Sequence, residues 1–484
     1  MYCRLWLLML VALFGVTSAN AQQLPSPTAN STPAQPDAPP DGSRACDGCP
    51  PRRLGTSFLQ VTLVNGIYEV ANLARGQVTA EITPATWWTN MKRGWEWDLD
   101  DFAVNQIGHP YQGNNYFTTG RANGLDFWES SALTAFGSGT WEYFGETNQA
   151  SLNDFLNTTL GGIALGEMFH RTAWLVRNTS LTGRSRLMRE IAATAIDPMT
   201  GYNRFTTGDA SRVVEKPREM QPSSLGADVH AGALWRDADT EEDSGTYPFF
   251  EVDLLYGDLT AGRSRTPYDA FAVRLDFGGG KALSEARVRG RLYGQPFRGE
   301  ALQMSVSQGY QYNENEAYQF GAQSVEASLG IVTGLGSRMS LWAVGWGGVT
   351  ILGAVDSVPL EGTDEPEEPA EPEESPGQGV STGPRFYDYG PGTNAGGYLS
   401  LLRDQRAFFT MSYELHHLRV LDGERANHVL QRARADLMLP LRGQLGFGVT
   451  GEFFDRRTLY KAEGVSPAHF YFPQFRMFLT WNAS

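Results

Sequence analysis

Cysteine is scarce in this chain, with three residues among 484. Cys3 falls in a stretch that reads as a leader, which leaves Cys46 and Cys49 of "CDGC" as the mature thiols. A zinc site needs two more ligands close by, and none stands there. A thioredoxin-like redox site needs a surrounding strand–helix–strand pattern, which is missing. A small disulfide loop joining Cys46 and Cys49 is the expectation in an oxidising compartment. Basic residues are also few, 39 Lys and Arg against 54 Asp and Glu, for a net charge of −15. With no long basic stripe, nucleic acid is not an expected partner. Long apolar runs are absent beyond the N-terminus. Residues 340–355 ("SLWAVGWGGVTILGAV") are uncharged but short and broken by glycine, whereas a membrane helix needs about 20 apolar residues. Their Val, Ile and Trp suit a strand instead.

What is present starts at the N-terminus. Arg4, an apolar stretch from Leu5 to Val16 and Ala19-Asn20-Ala21 have the form of a secretory signal peptide over 1–21. Residues 22–50 are rich in Pro, Ala and Ser and read as a flexible linker carrying the CxxC pair. Eight acidic residues crowd into "EGTDEPEEPAEPEES" with no base among them. Repulsion and repeated proline make 357–383 a solvated, disordered loop.

The C-terminal half alternates with period two. Phe250, Val252, Leu254 and Tyr256 oppose Glu251 and Asp253, and Phe271, Val273, Leu275 and Phe277 oppose Arg274 and Asp276. Similar sets run through Leu302–Val306 and Leu445–Val449. The chain closes on Phe475, Met477, Leu479 and Trp481 alternating with Gln474, Arg476, Phe478 and Thr480. Roughly 12 such segments lie between 223 and 481, an even number that suits a closed barrel with lipid outside and a polar lumen within. Arg287, Arg289 and Arg291 then line the inner face. The expected fold is therefore α+β: a transmembrane antiparallel β-barrel over 216–484, preceded by a helical domain over 51–215 that plugs the lumen or lies on the periplasmic face. The partners are outer-membrane lipid and other envelope proteins, with no cofactor and no metal. A soluble periplasmic binding protein with a sandwich fold is the alternative.

The helical half holds the residues that look chosen. In 57–74, Leu59, Leu63, Ile67, Val70 and Leu73 follow a helical period. Trp87, Trp88, Trp95 and Trp97 crowd near Asp98, Asp100 and Asp101, as an interfacial belt or as an aromatic core. Pro110 biases His109 away from helical dihedrals, which predicts a loop that ends where Asn114 or Asn115 caps a helix. Asn115, Thr119, Asn123, Asp126 and Ser130 then form one polar stripe. Gly120 with Gly124, and Gly162 with Gly166, form small-residue stripes for close helix contact. Ser151 and Asp154 resemble a capping box. A lipid hydrolase could use Ser130 as nucleophile, His109 as base and Asp126 as orienter, although no nucleophile elbow is present. Glu142, Glu146, Glu167 and His170 offer metal-ligand types, but the Glu-x-x-His spacing of carboxylate-bridged bundles occurs once where they need it twice. The blander expectation is a buried polar cluster that locks helices together. Its members are Asp98, Asn105, Gln112, Asn115, Arg121, Asn123, Glu142, Glu146, Asn153, Asp154, Glu167 and His170.

Three long strings, "WEWDLDDFAVNQIGHPYQGNNYFTTGRANGLDFWESS", "GSGTWEYFGE" and "SLNDFLNTTLGGIALGEMFHR", make the run from Trp95 to about Arg177 resemble the bacterial family named domain of unknown function 3943. The resemblance covers about a sixth of the chain. It implies an exported envelope protein at the outer membrane and supplies no catalytic or binding residue.

Overall fold

A computed structural model of the chain describes residues 49–98, 100–214, 216–237, 244–259, 263–297, 302–315, 319–356, 387–404, 406–423, 426–461 and 465–482. The expected signal peptide, most of the linker with Cys46, and the acidic loop lie outside the described residues. Cys49, at their edge, is disulfide-bonded.

The alternating segments fold as predicted into strands, and these close into one ring. After a short parallel pair, β1 (Trp95–Glu96) with β2 (Ala150–Ser151), come twelve barrel strands. They are β3 (Leu225–Arg236), β4 (Gly245–Tyr256), β5 (Phe271–Gly278), β6 (Lys281–Phe297), β7 (Leu302–Glu314) and β8 (Gln319–Gly334). The remainder are β9 (Met339–Asp356), β10 (Tyr387–Arg403), β11 (Arg406–Arg419), β12 (Ala426–Arg442), β13 (Leu445–Tyr460) and β14 (Ala468–Asn482). Each pairs with its sequence neighbour, and β14 closes antiparallel on β3 from Gln474↔Arg236 to Asn482↔Asp228. Closure leaves no open edge, so every strand finds partners on both sides. The sandwich alternative, two stacked open sheets, is overturned by this single closed ring.

Cross-barrel ion pairs fix which face is inside. Arg432 on β12 pairs with Glu285 on β6 at 2.8 Å, and these strands lie six apart in a ring of twelve. Arg434 on β12 reaches Glu251 on β4 at 2.9 Å, and Arg289 on β6 reaches Glu326 on β8 at 2.7 Å. Such contacts can run only through the lumen. Strand period two then turns Val252, Leu254, Tyr256, Phe271, Val273, Val288, Tyr310 and Tyr312 outward. Towards the strand ends near Phe320 and Val355 the lumen is filled by Phe320, Ala322, Val355, Leu418, Leu430, Phe454 and Phe472.

The outer wall has two sectors. On β11 to β14 the outward side chains are mostly exposed and apolar, with Met411, Leu439, Met477 and Leu479 among them, and an outward ion-paired group of Asp455, Arg457 and His469 lies towards the opposite strand ends. On the stretches of β4 to β7 around Val252–Tyr256, Phe271–Leu275, Ala286–Gly290 and Gln308–Tyr312, and on the adjoining parts of β8 to β10, the outward side chains are buried under the helical domain. Its helices are α1 (Leu54–Ala74), α2 (Pro84–Arg93), α3 (His109–Ala122), α4 (Phe127–Phe144), α5 (Leu152–Leu156), α6 (Gly162–Val176), α7 (Gly183–Ile196) and α8 (Pro198–Thr207). One core joins Phe102, Phe117, Phe127, Leu165 and Phe169 of this domain to Tyr256, Phe271, Val288, Tyr310, Tyr312, Tyr387 and Tyr389 of the wall. The helices therefore do not plug the lumen, one of the two placements expected from the sequence. They lie against the outside of the barrel.

The wall is built to receive them. Outward-facing Gln308 donates to the Leu160 carbonyl at 2.8 Å, and the Tyr310 hydroxyl donates to the Gln106 carbonyl at 2.6 Å. Phe127 stacks on Tyr268 at 5.6 Å, and Trp97 on Tyr389 at 5.5 Å. Polar groups of this kind would be costly against acyl chains without such partners.

Within the helical domain, small residues let backbones touch. A Cβ at Gly113 would sit 1.8 Å from the Thr158 carbonyl oxygen, and one at Gly162 would sit 2.5 Å from Gly113 Cα. A Cβ at Gly166 would instead meet the Phe117 side chain, 2.7 Å from its Cβ. The predicted stripe of Gly162 and Gly166 is thus a contact face between α3 and α6.

Candidate functional site: a buried acidic cluster beside the barrel wall

The site starts from an irregular helix. A π-helical turn, Val104–Gly108, runs directly into α3. Proline in a helix removes one backbone bond and crowds the carbonyl four residues earlier. A wider turn just before Pro110 relieves that crowding. His109 consequently has helical dihedrals, φ −62 and ψ −47, instead of the loop conformation expected from Pro110. Asn114 and Asn115 are interior helix positions and not caps.

The turn aims Asn105 and His109 at the segment from Ser151 to Thr158. His109 is 8% exposed. Its Nδ1 lies 3.3 Å from Thr158 Oγ1 and its Nε2 lies 3.5 Å from Asp154 Oδ1. Asn153 donates to Asp154 Oδ1 at 2.8 Å and to Asn105 Oδ1 at 3.3 Å, and it accepts from the Asp98 amide at 2.9 Å. Asn105 donates to the Tyr387 hydroxyl of the barrel at 2.6 Å. The Ser151 amide donates to Glu142 Oε2 at 2.8 Å, and the Ser151 hydroxyl caps α5 at the Asp154 amide, 3.2 Å away. Trp141 Nε1 donates to Glu146 Oε1 at 3.0 Å. The Asp100 amide donates to the Asp98 carboxylate.

Asp98, Asp100, Glu142, Glu146 and Asp154 thus gather around one imidazole. For Asp100, Glu142, Glu146 and Asp154 burial is the first cause of a raised pKa and repulsion from neighbouring carboxylates the second. Glu142 and Asp154 are held well above the ordinary carboxylate range, repelled respectively by Asp154 and by Asp98. Glu146 is pushed up to about 7 by burial and then by Asp154, and Asp100 to about 6 by burial and then by Asp98. Such groups take up and release protons near neutral pH. The arrangement can therefore hold a variable number of protons at the seam between helices and barrel.

The other predicted polar residues divide among neighbouring contacts. Gln112 donates to the Tyr116 hydroxyl at 2.6 Å, Asn115 to the Tyr68 hydroxyl at 2.8 Å, and Asn123 to Gln60 Oε1 at 2.6 Å. The last two bonds tie α1 to α3. Glu167 sits between Arg121 at 3.0 Å and Arg171 at 2.8 Å. His170 pairs with Asp197 at 2.9 Å. Burial lowers the His170 pKa, and the bond to Asp197 opposes that shift. Glu142 and Glu146 therefore serve one cluster, and Glu167 and His170 others. Among the described residues no metal-compatible group includes any of these four. The one such group joins His230, Glu251 and Asp253 in the lumen, where Arg434 and Arg476 already occupy Glu251.

The three candidate hydrolase residues are held by different neighbours. Asp126 accepts from the Glu129 amide at 2.8 Å, and Glu129 returns the bond to the Asp126 amide at 2.9 Å. That capping box starts α4, so the polar stripe from Asn115 to Ser130 is split between two helices. Ser130 is buried, and its Oγ would lie 2.6 Å from a Cβ at Gly120. His109 faces Thr158 and Asp154, as above.

Several participants escaped sequence reasoning. Tyr387 and Tyr389 lie more than 230 residues from their partners, and the only sequence signal is two tyrosines on the outward parity of a strand. Glu190, which pairs with Arg186 at 3.0 Å and Arg204 at 2.8 Å, was legible in part from the i,i+4 spacing of Arg186.

No curated protein matches the chain. Among solved structures, the NanC porin is similar at 8% identity over 53% of this chain and 98% of that one, with a TM-score of 0.26. The KdgM porin aligns at 7% identity over 53% and 98%, with a TM-score of 0.23. The outer membrane protein Omp33 of Acinetobacter baumannii aligns at 8% over 53% and 96%, with a TM-score of 0.22. The helical layer that holds the acidic cluster has its own counterpart: residues 94–199 match the family described as Domain of unknown function (DUF3943), the family whose resemblance the sequence carries.

Proposed function

We propose that this protein is an exported outer-membrane barrel with a transport or structural role, whose lumen is held shut by a ladder of ion pairs and whose DUF3943 helices are carried on the barrel wall. The cross-lumen ladder is the observation that carries the reading. Arg432 joins Glu285 and Glu452, Arg434 joins Glu251 and Asp436, and Arg476 joins Glu251 and Asp276. Exposed leucines and methionines on the outward parity of β11 to β14 support a lipid-facing wall. Charged residues inside and apolar residues outside are the distribution expected of a closed membrane barrel and the reverse of a water-soluble one.

The test is electrical. Purified chain inserted into planar bilayers is expected to conduct little. The Arg432→Ala/Glu285→Ala double variant, which keeps charge balance while removing the central rung, is expected to raise conductance and to keep the heat-dependent gel shift of a folded barrel. A large steady conductance of the unaltered protein would refute the closed-lumen reading.

A further inference from the structure

We infer that the outer surface of the helical layer is itself a lipid-contacting face, so that acyl chains cover α1 as they cover the bare strands. This inference rests on the membrane reading of the barrel.

The argument begins with α1. Leu59, Leu63, Ile67, Val70 and Leu73 are 60, 57, 68, 65 and 48% exposed. At 3.6 residues per turn they fall within an arc of about 120°. The opposite side faces the protein through Ser57, Val61 and Val64, all buried. It also carries polar contacts, since Asn65 donates to Thr140 Oγ1 at 3.1 Å and to the Gly137 carbonyl at 3.2 Å; Gln60, at the border of the apolar arc, donates to Asn203 Oδ1 at 2.6 Å. A helix on a water-soluble protein buries its apolar stripe and wets its polar one. Here the polarity is inverted. Between Arg53 and Arg75 the only charged residue is Glu69.

Parts of α7 and α8 are inverted in the same way, beside exposed Arg184 on α7 and exposed Lys92 and Arg93 on α2. Leu187, Met188 and Ile191 on α7, and Tyr202 and Phe205 on α8, are all exposed. The interior holds charges of its own, with Glu167, Arg171, Glu190 and Asp197 almost wholly enclosed. An exposed apolar surface of this extent marks a contact with something apolar. The occupant follows from continuity: the layer is packed on a wall whose neighbouring sectors present Leu439, Met477 and Leu479 outward, so both surfaces meet the same medium. Among the described residues no helix is long and apolar enough to cross a membrane. The layer accordingly lies beside the barrel as a lateral element and does not span as a helical bundle.

The test uses the full chain reconstituted in phosphatidylcholine vesicles. A bimane fluorophore is placed on Ile67→Cys, on Leu63→Cys, or on the barrel control Leu437→Cys. All three side chains are exposed or nearly so, and relabelling them disturbs no packing. Doxyl-labelled phosphatidylcholine in the vesicles quenches fluorophores that touch acyl chains. The inference predicts equal quenching at Ile67, Leu63 and Leu437. Quenching at Leu437 alone overturns it and leaves the barrel reading standing. Quenching at none of the three overturns both. Protection at Ile67 and Leu63 together with a dimeric mass would assign the face to a second copy, and that too would overturn the inference.

Discussion

Gly113→Ala separates close packing from helix propensity, because the two effects have opposite signs. The substituted methyl would sit 1.8 Å from the Thr158 carbonyl oxygen, and real Cβ contacts stop near 3.0 Å. The two backbones must therefore part by at least 1.2 Å, the difference of those values. The obstacle is backbone on both sides, so no side chain can swing away. Overpacking of this kind costs about 1–3 kcal/mol, and a backbone clash belongs at the upper end. Alanine returns about 0.5–1 kcal/mol through helix propensity. The net loss is about 2 kcal/mol, or roughly 6 °C for a domain of this size. Gly66→Ala on α1 is the paired control, since nothing lies within 4 Å of its Cβ position. It should gain about 0.5–1 kcal/mol. Thermal melting of the helical circular-dichroism signal, with the barrel intact in detergent, measures both. A Gly113→Ala protein as stable as its parent would refute the backbone contact of α3 with the segment around Thr158.

Two further outcomes follow from the helical layer. Asp126→Ala should lose the capping box of α4 and cost about 1 kcal/mol, while Asp126→Asn should retain most of it; equal melting of the two variants would deny the capping role. The acidic cluster sets the pH dependence. Glu146 and Asp100 are raised in the folded protein, to about 7 and about 6, so the folded state holds protons that the unfolded chain has released. Stability is then full below the ordinary carboxylate range and falls as pH rises from about 4 to about 7. Glu146→Gln should flatten the upper part of that fall, and an unchanged pH profile would exclude the group.

Much of the barrel could be read from the chain because its rule is local. Every second residue answers to one environment, so Glu251 and Phe250 announce opposite faces without knowledge of their partners. The strand number and the inward arginines of β6 followed from that rule. The placement of the helices did not, because the outward side chains of β4 to β7 are as apolar as lipid-facing ones. Polar-tipped side chains on the outward parity, Gln308 and Tyr310 among them, were the hint of a protein neighbour. Periodicity also found α1 but assigned its apolar stripe no direction, and that stripe points away from the core. Proline preference misplaced His109, because a π-turn absorbed the strain. Six members of the expected polar cluster, Asp98, Asn105, Glu142, Glu146, Asn153 and Asp154, do meet beside His109, but the tyrosines completing their site come from β10, and no local pattern carries a contact across 282 residues.

The placement of the helical layer on the outer wall can be tested by parity. A Cβ at Gly321 would lie 2.1 Å from Gln106 Oε1 and 2.7 Å from its Cγ, so cysteines at both positions reach disulfide distance once the longer side chain is gone. Ala322, the next residue, turns into the lumen with Phe320. Oxidation of the Gln106→Cys/Gly321→Cys protein should give a cross-link in the folded barrel, while Gln106→Cys/Ala322→Cys should give none. Cross-linking through Ala322 instead would place the helices inside the barrel and contradict the account.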